Sequence, residues 1–281
     1  MKKQFITEDC IKLVYDYFPS KGNKPVLFYL HGLGGNWSEW EHSLEIARKK
    51  GYGAIVTDMR GHGLSSVPED DKSYEIERFA SDVRSILEKE KVKSYVLVGH
   101  SFGGSVMVVY CTKYNTKMPK ALIFVETTHK YPYKLYHEMN TNPIICYTLR
   151  KLIDWKILTN KSFPRKKELN INTVLKENYL FQLFDELYHT PFKAIFSCLD
   201  GVRDYSKKYG QLIEESLHNL KMPSLIIGGK KDTIIDYKYS EELHKIIPHS
   251  KLKLFDNATH MFPMEDKKAF NLEIFSFLGT I

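Results

Sequence analysis

Three polar residues of different types, a serine, an aspartate and a histidine, each follow a short apolar run. They are Ser101, Asp232 and His260. A serine hydroxyl is a weak nucleophile until an imidazole accepts its proton, and the imidazole needs a carboxylate to fix its tautomer. The chain order serine, aspartate, histidine is one of the orders found in sites of this kind. The three residues therefore predict nucleophilic acyl-transfer chemistry, with Ser101 as nucleophile, His260 as base and Asp232 as acid.

The serine lies in the sequence Gly99-His100-Ser101-Phe102-Gly103, between an apolar run at 95–98 and an apolar segment at 103–114. A G-x-S-x-G pentapeptide also occurs in glycine-rich turns whose serine does nothing. Here a buried strand precedes it and a helix rich in small residues follows it, a setting that pushes a serine hydroxyl out of the sheet. This placement favours Ser101 as a nucleophile.

Other residues compete for the remaining roles. Asp232, in the sequence G-K-K-D, could be a turn residue or a helix cap, and Glu126 follows the preceding predicted strand as a rival acid. Two further histidines, His31 and His100, lie inside loop motifs. We expect them to hold those loops by hydrogen bonding rather than to act as the base.

Apolar runs and helical periodicity alternate along most of the chain. Strands are predicted at 11–18, 25–30, 53–57, 95–98, 121–125, 223–228 and 251–255, and helices at 38–50, 73–91, 103–114, 237–247 and 265–278. This alternation is typical of an α/β fold with a mostly parallel sheet. Because the carboxyl ends of parallel strands share one edge, Ser101, Asp232 and His260 should meet there.

The alternation stops between residues 127 and 205. This segment contains helical periodicity at 144–158 and 174–188 and many aromatic residues, so we predict a helical insertion between two core segments, 1–126 and 206–281. The aromatic side chains indicate an apolar substrate pocket. The candidates for its wall are Trp155, Phe181 and Phe184.

Composition narrows the function classes. The net charge of +7 in 281 residues is spread along the chain, which does not favour a nucleic-acid partner. There is no signal-peptide pattern and no 18-residue apolar run, so we expect a cytoplasmic protein without an integral membrane segment. The four scattered cysteines do not suggest a metal site or a disulfide framework, and no dinucleotide or P-loop motif is present. No cofactor is therefore expected, and the oligomeric state, monomer or homodimer, stays open.

Five motifs together resemble the α/β-hydrolase superfamily. They are H-G-L-G-G at 31–35, D-M-R-G-H-G-L-S at 58–65, G-H-S-F-G-G at 99–104, G-K-K-D at 229–232 and A-T-H at 258–260. The chain is most similar to serine esterases and lipases of the monoacylglycerol-lipase-like type. The resemblance implies a mostly parallel sheet of about eight strands flanked by helices, and a helical cap (lid) at the position of the insertion.

The same resemblance implies an oxyanion hole made by the backbone N–H groups of Leu33 and Phe102. Two such donors would stabilise the negative charge that develops on a substrate carbonyl oxygen. The expected activity is hydrolysis of small-molecule carboxylic esters through an acyl-enzyme, by a carboxylesterase or lipase-like enzyme. The alternatives are a thioester, lactone or amide hydrolase using the same site, or a hydrolase-like receptor for a small molecule.

Overall fold

Eight strands form one open sheet in the computed structural model of the chain, which describes residues 2–114, 116, 118–132 and 190–281. The strands are β1 (Lys3–Ile6), β2 (Lys12–Phe18), β3 (Val26–Leu30), β4 (Gly53–Asp58), β5 (Tyr95–His100), β6 (Ala121–Val125), β7 (Ser224–Gly229) and β8 (Ser250–Phe255). Their order across the sheet is β1-β2-β4-β3-β5-β6-β7-β8. The two pairings made by β2 are antiparallel and the remaining ones are parallel. The predicted mostly parallel sheet of about eight strands is confirmed.

Helices cover both faces of this sheet. They are α1 (Glu41–Lys49), α2 (Ile76–Lys89), α3 (Phe102–Lys113), α4 (Phe192–His218), α5 (Lys238–Ile246), α6 (Phe262–Glu265) and α7 (Lys267–Leu278). Strands β3 to β7 are fully buried, as expected for apolar runs covered on both sides. One apolar cluster joins the sheet to α2, α3 and α4, and a second joins it to α1 and α7.

Helix α3 is buried along almost its whole length, because it lies between the sheet and helices α2 and α4. Its small residues allow this close packing. A Cβ atom placed on Gly103 would overlap the carbonyl oxygen of Leu30, and one on Gly104 would overlap the side chain of Thr127. The start of α3 is therefore packed against the carboxyl ends of β3 and β6, the two strands on either side of β5. This packing fixes the position of Ser101, which directly precedes α3.

We expect Gly103→Ala to destabilise the protein by at least about 2 kcal/mol, because the added methyl meets backbone atoms that cannot rotate away. A matched control is available in Gly210→Ala. Gly210 lies in α4 with nothing within 4 Å of the added Cβ, so this substitution should be neutral or should stabilise by up to about 1 kcal/mol. Urea unfolding of both variants measures the difference. Equal stabilities would contradict the tight packing at Gly103.

The predicted insertion at 127–205 is described only in part. Helix α4 begins inside it, crosses the predicted boundary at 205 and ends at His218 in the core, with non-helical backbone at Tyr209. The helices predicted at 144–158 and 174–188, together with Trp155, Phe181 and Phe184, lie outside the described residues. The division into core and cap stays a prediction. Within the described part of the chain, no helix is both long and apolar enough to cross a membrane.

One strand was missed, and two helices begin at residues other than those predicted. Strand β1 was not predicted because its residues are mostly exposed and carry no apolar alternation. Ser38 was expected to cap a helix beginning there, but Asn36 caps a short 3₁₀ turn by accepting the Ser38 N–H at 3.0 Å, and α1 begins at Glu41. The closing helix was predicted from residue 265, whereas α7 begins after Asp266, whose carboxylate accepts the Ala269 N–H at 2.9 Å.

Candidate active site

Ser101 occupies the sharp turn between β5 and α3. Its backbone has φ 50° and ψ −116°, a conformation that L residues rarely adopt and that costs on the order of 1–3 kcal/mol. Two neighbours hold it there: the Ser101 N–H donates to the Val125 carbonyl at 2.9 Å, and the Thr127 hydroxyl donates to the Ser101 carbonyl at 2.7 Å. The turn therefore projects the serine side chain beyond the carboxyl end of β5.

His260 lies in the loop after β8 and reaches the serine. Its Nε2 atom is 2.9 Å from Ser101 Oγ, and its Nδ1 atom is 2.7 Å from Asp232 Oδ2. All three residues are buried. The Lys231 N–H donates to the Ala258 carbonyl at 3.0 Å, which joins the loop after β7 to the loop after β8. The structure thus brings together the three residues that the sequence singled out.

The Asp232 carboxylate is oriented by the backbone. Its Oδ1 atom accepts the N–H groups of Ile234 and Ile235 at 2.8 and 2.9 Å, which leaves Oδ2 facing the imidazole. Because a carboxylate accepts, His260 carries its proton on Nδ1, and Nε2 accepts the Ser101 hydroxyl. Burial lowers the pKa of His260, which keeps the ring neutral near pH 7. A neutral imidazole in this tautomer can accept a proton from the serine.

The rival carboxylate, Glu126, has a different neighbour. It follows β6 and is almost fully buried, and burial raises its pKa to about 7. One of its oxygens lies 3.5 Å from His100 Nε2, and neither oxygen accepts a hydrogen bond from the described residues. Asp232, and not Glu126, is therefore the carboxylate that meets the His260 imidazole.

The loop after β3 lies against the serine. Residues 32–35 form a turn closed by the Gly35 N–H on the Gly32 carbonyl at 3.1 Å, with φ +82° at Gly34. This is the pattern of a type II turn with Leu33 at its second position. A Cβ on Gly32 would lie 3.6 Å from the Ser101 Cβ, so this loop touches the nucleophile turn.

One proposed oxyanion donor, Phe102, directly follows Ser101, and the other, Leu33, directly follows Gly32 in the loop that touches Ser101. Phe102 is the first residue of α3, and the first N–H groups of a helix have no acceptor within that helix. The Gly32 N–H, in contrast, is already taken by Glu39 Oε2 at 2.9 Å. The geometry is compatible with Leu33 and Phe102 as donors to a substrate oxygen, and their role stays a prediction.

Two of the other motif histidines, His31 and His100, hold loops, as expected. His31 Nε2 accepts the Met59 N–H at 3.0 Å, and its Nδ1 lies 2.7 Å from the Gly32 carbonyl, so Nδ1 carries the proton. His100 Nε2 donates to the His260 carbonyl at 2.8 Å. The expectation that His31 and His100 hold loops by hydrogen bonding is confirmed.

Sequence reasoning missed two carboxylates that organise these loops. Asp58 accepts the Trp37 N–H at 2.9 Å and the Leu64 N–H at 2.8 Å, and it is buried. Glu39 holds the Gly32 N–H and lies beside His100. The position of Asp58 at the end of the buried strand β4 could have revealed it. Glu39, between two tryptophans in the 3₁₀ turn before α1, carries no such signal.

Three buried side chains near the serine offer atoms that a metal ion could use. His100, Glu126 and His260 each present one ligand atom, and these atoms lie within 4.8 Å of one another. However, His100 Nε2 and both ring nitrogens of His260 already form hydrogen bonds. A cation could bind only by displacing contacts that align Ser101, His260 and Asp232.

Known proteins are similar in sequence to this chain over almost its whole length. The human protein ABHD8 is 25% identical over 280 residues, which are 98% of this chain and 60% of that protein. This chain therefore spans well under two thirds of the length of that relative. The bifunctional esterase/perhydrolase DCH of Acinetobacter calcoaceticus is 23% identical over 290 residues, with 98% of each chain covered.

Solved structures share the fold at low identity. An esterase (EaEST) from Exiguobacterium antarcticum superposes with a TM-score of 0.75 at 19% identity, covering 99% of this chain and 100% of that one. A bromoperoxidase from Bacillus anthracis superposes with a TM-score of 0.76 at 23% identity and the same coverage. The family model described as the alpha/beta hydrolase fold matches residues 25–267. The chain belongs to the alpha/beta hydrolase superfamily.

Proposed function

We propose that the protein is a serine hydrolase that cleaves carboxylic esters through an acyl-enzyme intermediate. The observation that carries this proposal is the continuous hydrogen-bonded line from Ser101 Oγ through His260 to Asp232, at 2.9 and 2.7 Å. It lies at the carboxyl edge of the sheet, where ligands of open α/β folds bind. Several relatives are named as esterases, which agrees with this reaction class.

In the acylation step, Ser101 Oγ attacks the ester carbonyl carbon while its proton passes to His260 Nε2. The carbonyl oxygen becomes an oxyanion, which the N–H groups of Leu33 and Phe102 stabilise. The Asp232 carboxylate stabilises the imidazolium that forms without taking its proton. When the tetrahedral intermediate collapses, Nε2 returns the proton to the leaving alcohol, and the acyl group stays on Ser101.

In the deacylation step, a water molecule attacks the acyl carbon and gives its proton to the same Nε2 atom. Collapse of the second tetrahedral intermediate releases the carboxylic acid and restores the Ser101 hydroxyl. Both half-reactions use one base and one oxyanion site, so a single alignment of the Ser101 and His260 loops serves the whole cycle.

The substrate is an ester with an apolar acyl or alcohol group. This part of the proposal depends on the aromatic insertion, whose members Trp155, Phe181 and Phe184 are its pocket candidates. One described contact ties the end of that insertion to the site: the Thr190 hydroxyl donates to the Gly34 carbonyl at 2.9 Å. The insertion is thereby anchored to the loop that carries Leu33.

Hydrolysis of p-nitrophenyl esters from acetate to laurate, together with matched thioester, lactone and anilide substrates, tests the reaction class. We expect turnover of esters to exceed that of anilides and to rise with acyl length until the pocket is full, by about tenfold for two added methylenes. Preference for a thioester or lactone would replace the ester in this proposal. A protein that binds these compounds without turnover would be a receptor.

The pH dependence of kcat/KM follows from the protonation state of His260. Burial lowers the pKa of His260 below its ordinary value of 6.5, and activity requires the neutral ring. Activity should therefore be retained as the pH falls to 6.5 and be lost only at lower pH. A pH–rate profile with p-nitrophenyl acetate measures this acid limb. A midpoint above pH 7 would contradict the assignment of a buried, neutral base.

A further inference from the structure

A buried histidine lies between two carboxylates directly beneath the serine turn. His100 Nδ1 is 2.9 Å from Glu39 Oε1, and His100 Nε2 is 3.5 Å from Glu126 Oε2. The three side chains are 3%, 5% and 0% exposed, so water does not screen the charges. None of these residues takes part in the proton transfers proposed above. We call Glu39, His100 and Glu126 the buried charge cluster.

The hydrogen bonds of His100 determine its protonation state. Nε2 lies 2.8 Å from the His260 carbonyl oxygen, which can only accept, so Nε2 carries a proton. A neutral ring would then turn the Nδ1 lone pair toward a Glu39 carboxylate oxygen. Protonation of Nδ1 replaces that repulsion by an ion pair, and a buried carboxylate without a cation is costly. The 2.9 Å contact between His100 Nδ1 and Glu39 Oε1 therefore favours an imidazolium at His100.

Electrostatics agree with this reading of the geometry. Burial alone would lower the pKa of His100, but Glu39 and Glu126 outweigh burial and raise it well above the ordinary value of 6.5. Burial raises the pKa of Glu126 to about 7, and Glu39, at 2.9 Å, is the nearer of the two carboxylates to the His100 ring. The pair Glu39–His100 is then a carboxylate and a cation at contact distance.

Each end of this ion pair is tied to a different loop of the active site. The second oxygen of Glu39 accepts the Gly32 N–H at 2.9 Å, at the start of the turn that carries Leu33. His100 Nε2 holds the carbonyl of His260, and His100 itself precedes Ser101 in the chain. One buried pair therefore touches the loops of the proposed oxyanion donor, the nucleophile and the base.

We propose that His100 is a positioning residue that acts as a buried cation, joined to Glu39, and holds the Gly32 loop and the His260 loop in register around Ser101. This inference rests on the proposed function for its kinetic consequences, but not for the charge of the cluster. The ring centroids of His100 and His260 are 4.9 Å apart. Because like charges repel at this distance, the His100 cation also opposes protonation of His260.

Several titratable groups face this cation from the surrounding elements, and any pH effect must account for them. They come from the loops after β3, β6 and β8 and from the 3₁₀ turn before α1: His31, Glu126, His260 and Glu39. The cation His100 lowers the pKa of His260, whereas Asp232 and Glu39 raise it. Removal of the His100 charge should therefore move the acid limb to higher pH.

The kinetic test replaces His100 by glutamine, whose amide nitrogen can keep a donor near the His260 carbonyl while the charge is lost. We expect His100→Gln to lower kcat by roughly 10–100-fold with little change in KM, and to shift the acid limb upward by about one unit. Glu39→Gln should lower kcat similarly. Glu41→Gln, an exposed carboxylate two residues away, is the matched control and should behave as wild type. His100→Gln with wild-type kcat and an unmoved acid limb would overturn the proposal.

A second measurement needs no substrate and uses the unaltered protein. In ¹⁵N-histidine-labelled wild type, the His100 ring should show protons on both nitrogens from pH 6 to 8, with its signals identified by their loss in His100→Gln or their change in Glu39→Gln. A neutral His100 ring in this range would overturn the inference. If the wild type hydrolyses none of the substrates, the proposed function fails, and this spectrum still decides whether the cation is present.

Discussion

Ser101→Ala is expected to lower ester hydrolysis by at least about 10⁴-fold and to abolish covalent labelling by a fluorophosphonate probe. The hydroxyl is the group that would form the acyl-enzyme, and loss of the nucleophile in such a site removes almost all of the rate enhancement. The fold should persist. Within the described part of the chain, the Ser101 hydroxyl forms a single hydrogen bond, to His260, which is worth about 1 kcal/mol.

The same helix supplies a control for this substitution. Ser105 is also buried and lies one turn along α3, but among the described residues the His260 ring is hydrogen-bonded to Asp232 and Ser101 and not to Ser105. Ser105→Ala should retain both turnover and labelling, and circular dichroism should show both variants folded. Full activity in a Ser101→Ala preparation free of contaminating esterases would refute the acyl-enzyme. Labelling retained in Ser101→Ala would place the nucleophile elsewhere.

The strands of the sheet could be predicted well because their signal is local. Runs such as those of β3, β5 and β6 are apolar at every position, which is what burial on both faces demands. Strand β1 gave no such signal, because three of its four residues are exposed. Its strand conformation depends on pairing with β2. The start of α1 was missed for a different reason. Its N-cap residue is Trp40, which forms no side-chain capping hydrogen bond, whereas the good capping residues Asn36 and Ser38 belong to the 3₁₀ turn before it.

The residues of the candidate site also differ in how well the sequence predicts them. Ser101 and His260 were found because their strands are evident and the strand ends of a parallel sheet meet at one edge. Asp232 was predicted as the acid, but Glu126 remained a rival, because each residue follows one of two strands, β7 and β6, that are neighbours in the sheet. Glu39 was missed because its contacts, with Gly32 and His100, join separate loops in three dimensions. Long-range contacts of this kind leave no periodic pattern.

Asp232→Asn is the second substitution with a large expected effect, and its size follows from the backbone around the residue. The Ile234 and Ile235 N–H groups donate to Oδ1, so the asparagine oxygen must occupy that position. The asparagine NH₂ group then faces His260 Nδ1 and donates to it. The ring is forced into the tautomer with its proton on Nε2, where it can no longer accept the Ser101 proton. We expect kcat to fall by about 10³–10⁴-fold in stopped-assay kinetics, with KM changed little.

Glu126→Gln is the matched control for this loss, because it changes a buried carboxylate to an amide on the neighbouring strand. A Glu126 oxygen lies 3.5 Å from His100 Nε2, whereas the Nδ1 atom of His260 is hydrogen-bonded to Asp232. The control should therefore cost less than about tenfold in kcat, and its acyl-enzyme should still form when a p-nitrophenyl ester is added in a burst experiment. If kcat falls 10³-fold in Glu126→Gln and stays near the wild-type value in Asp232→Asn, the catalytic acid is Glu126 and the assignment of Asp232 is wrong. A shared moderate loss would instead mean that the two carboxylates act on His260 together, and the double variant would then be no worse than either single one.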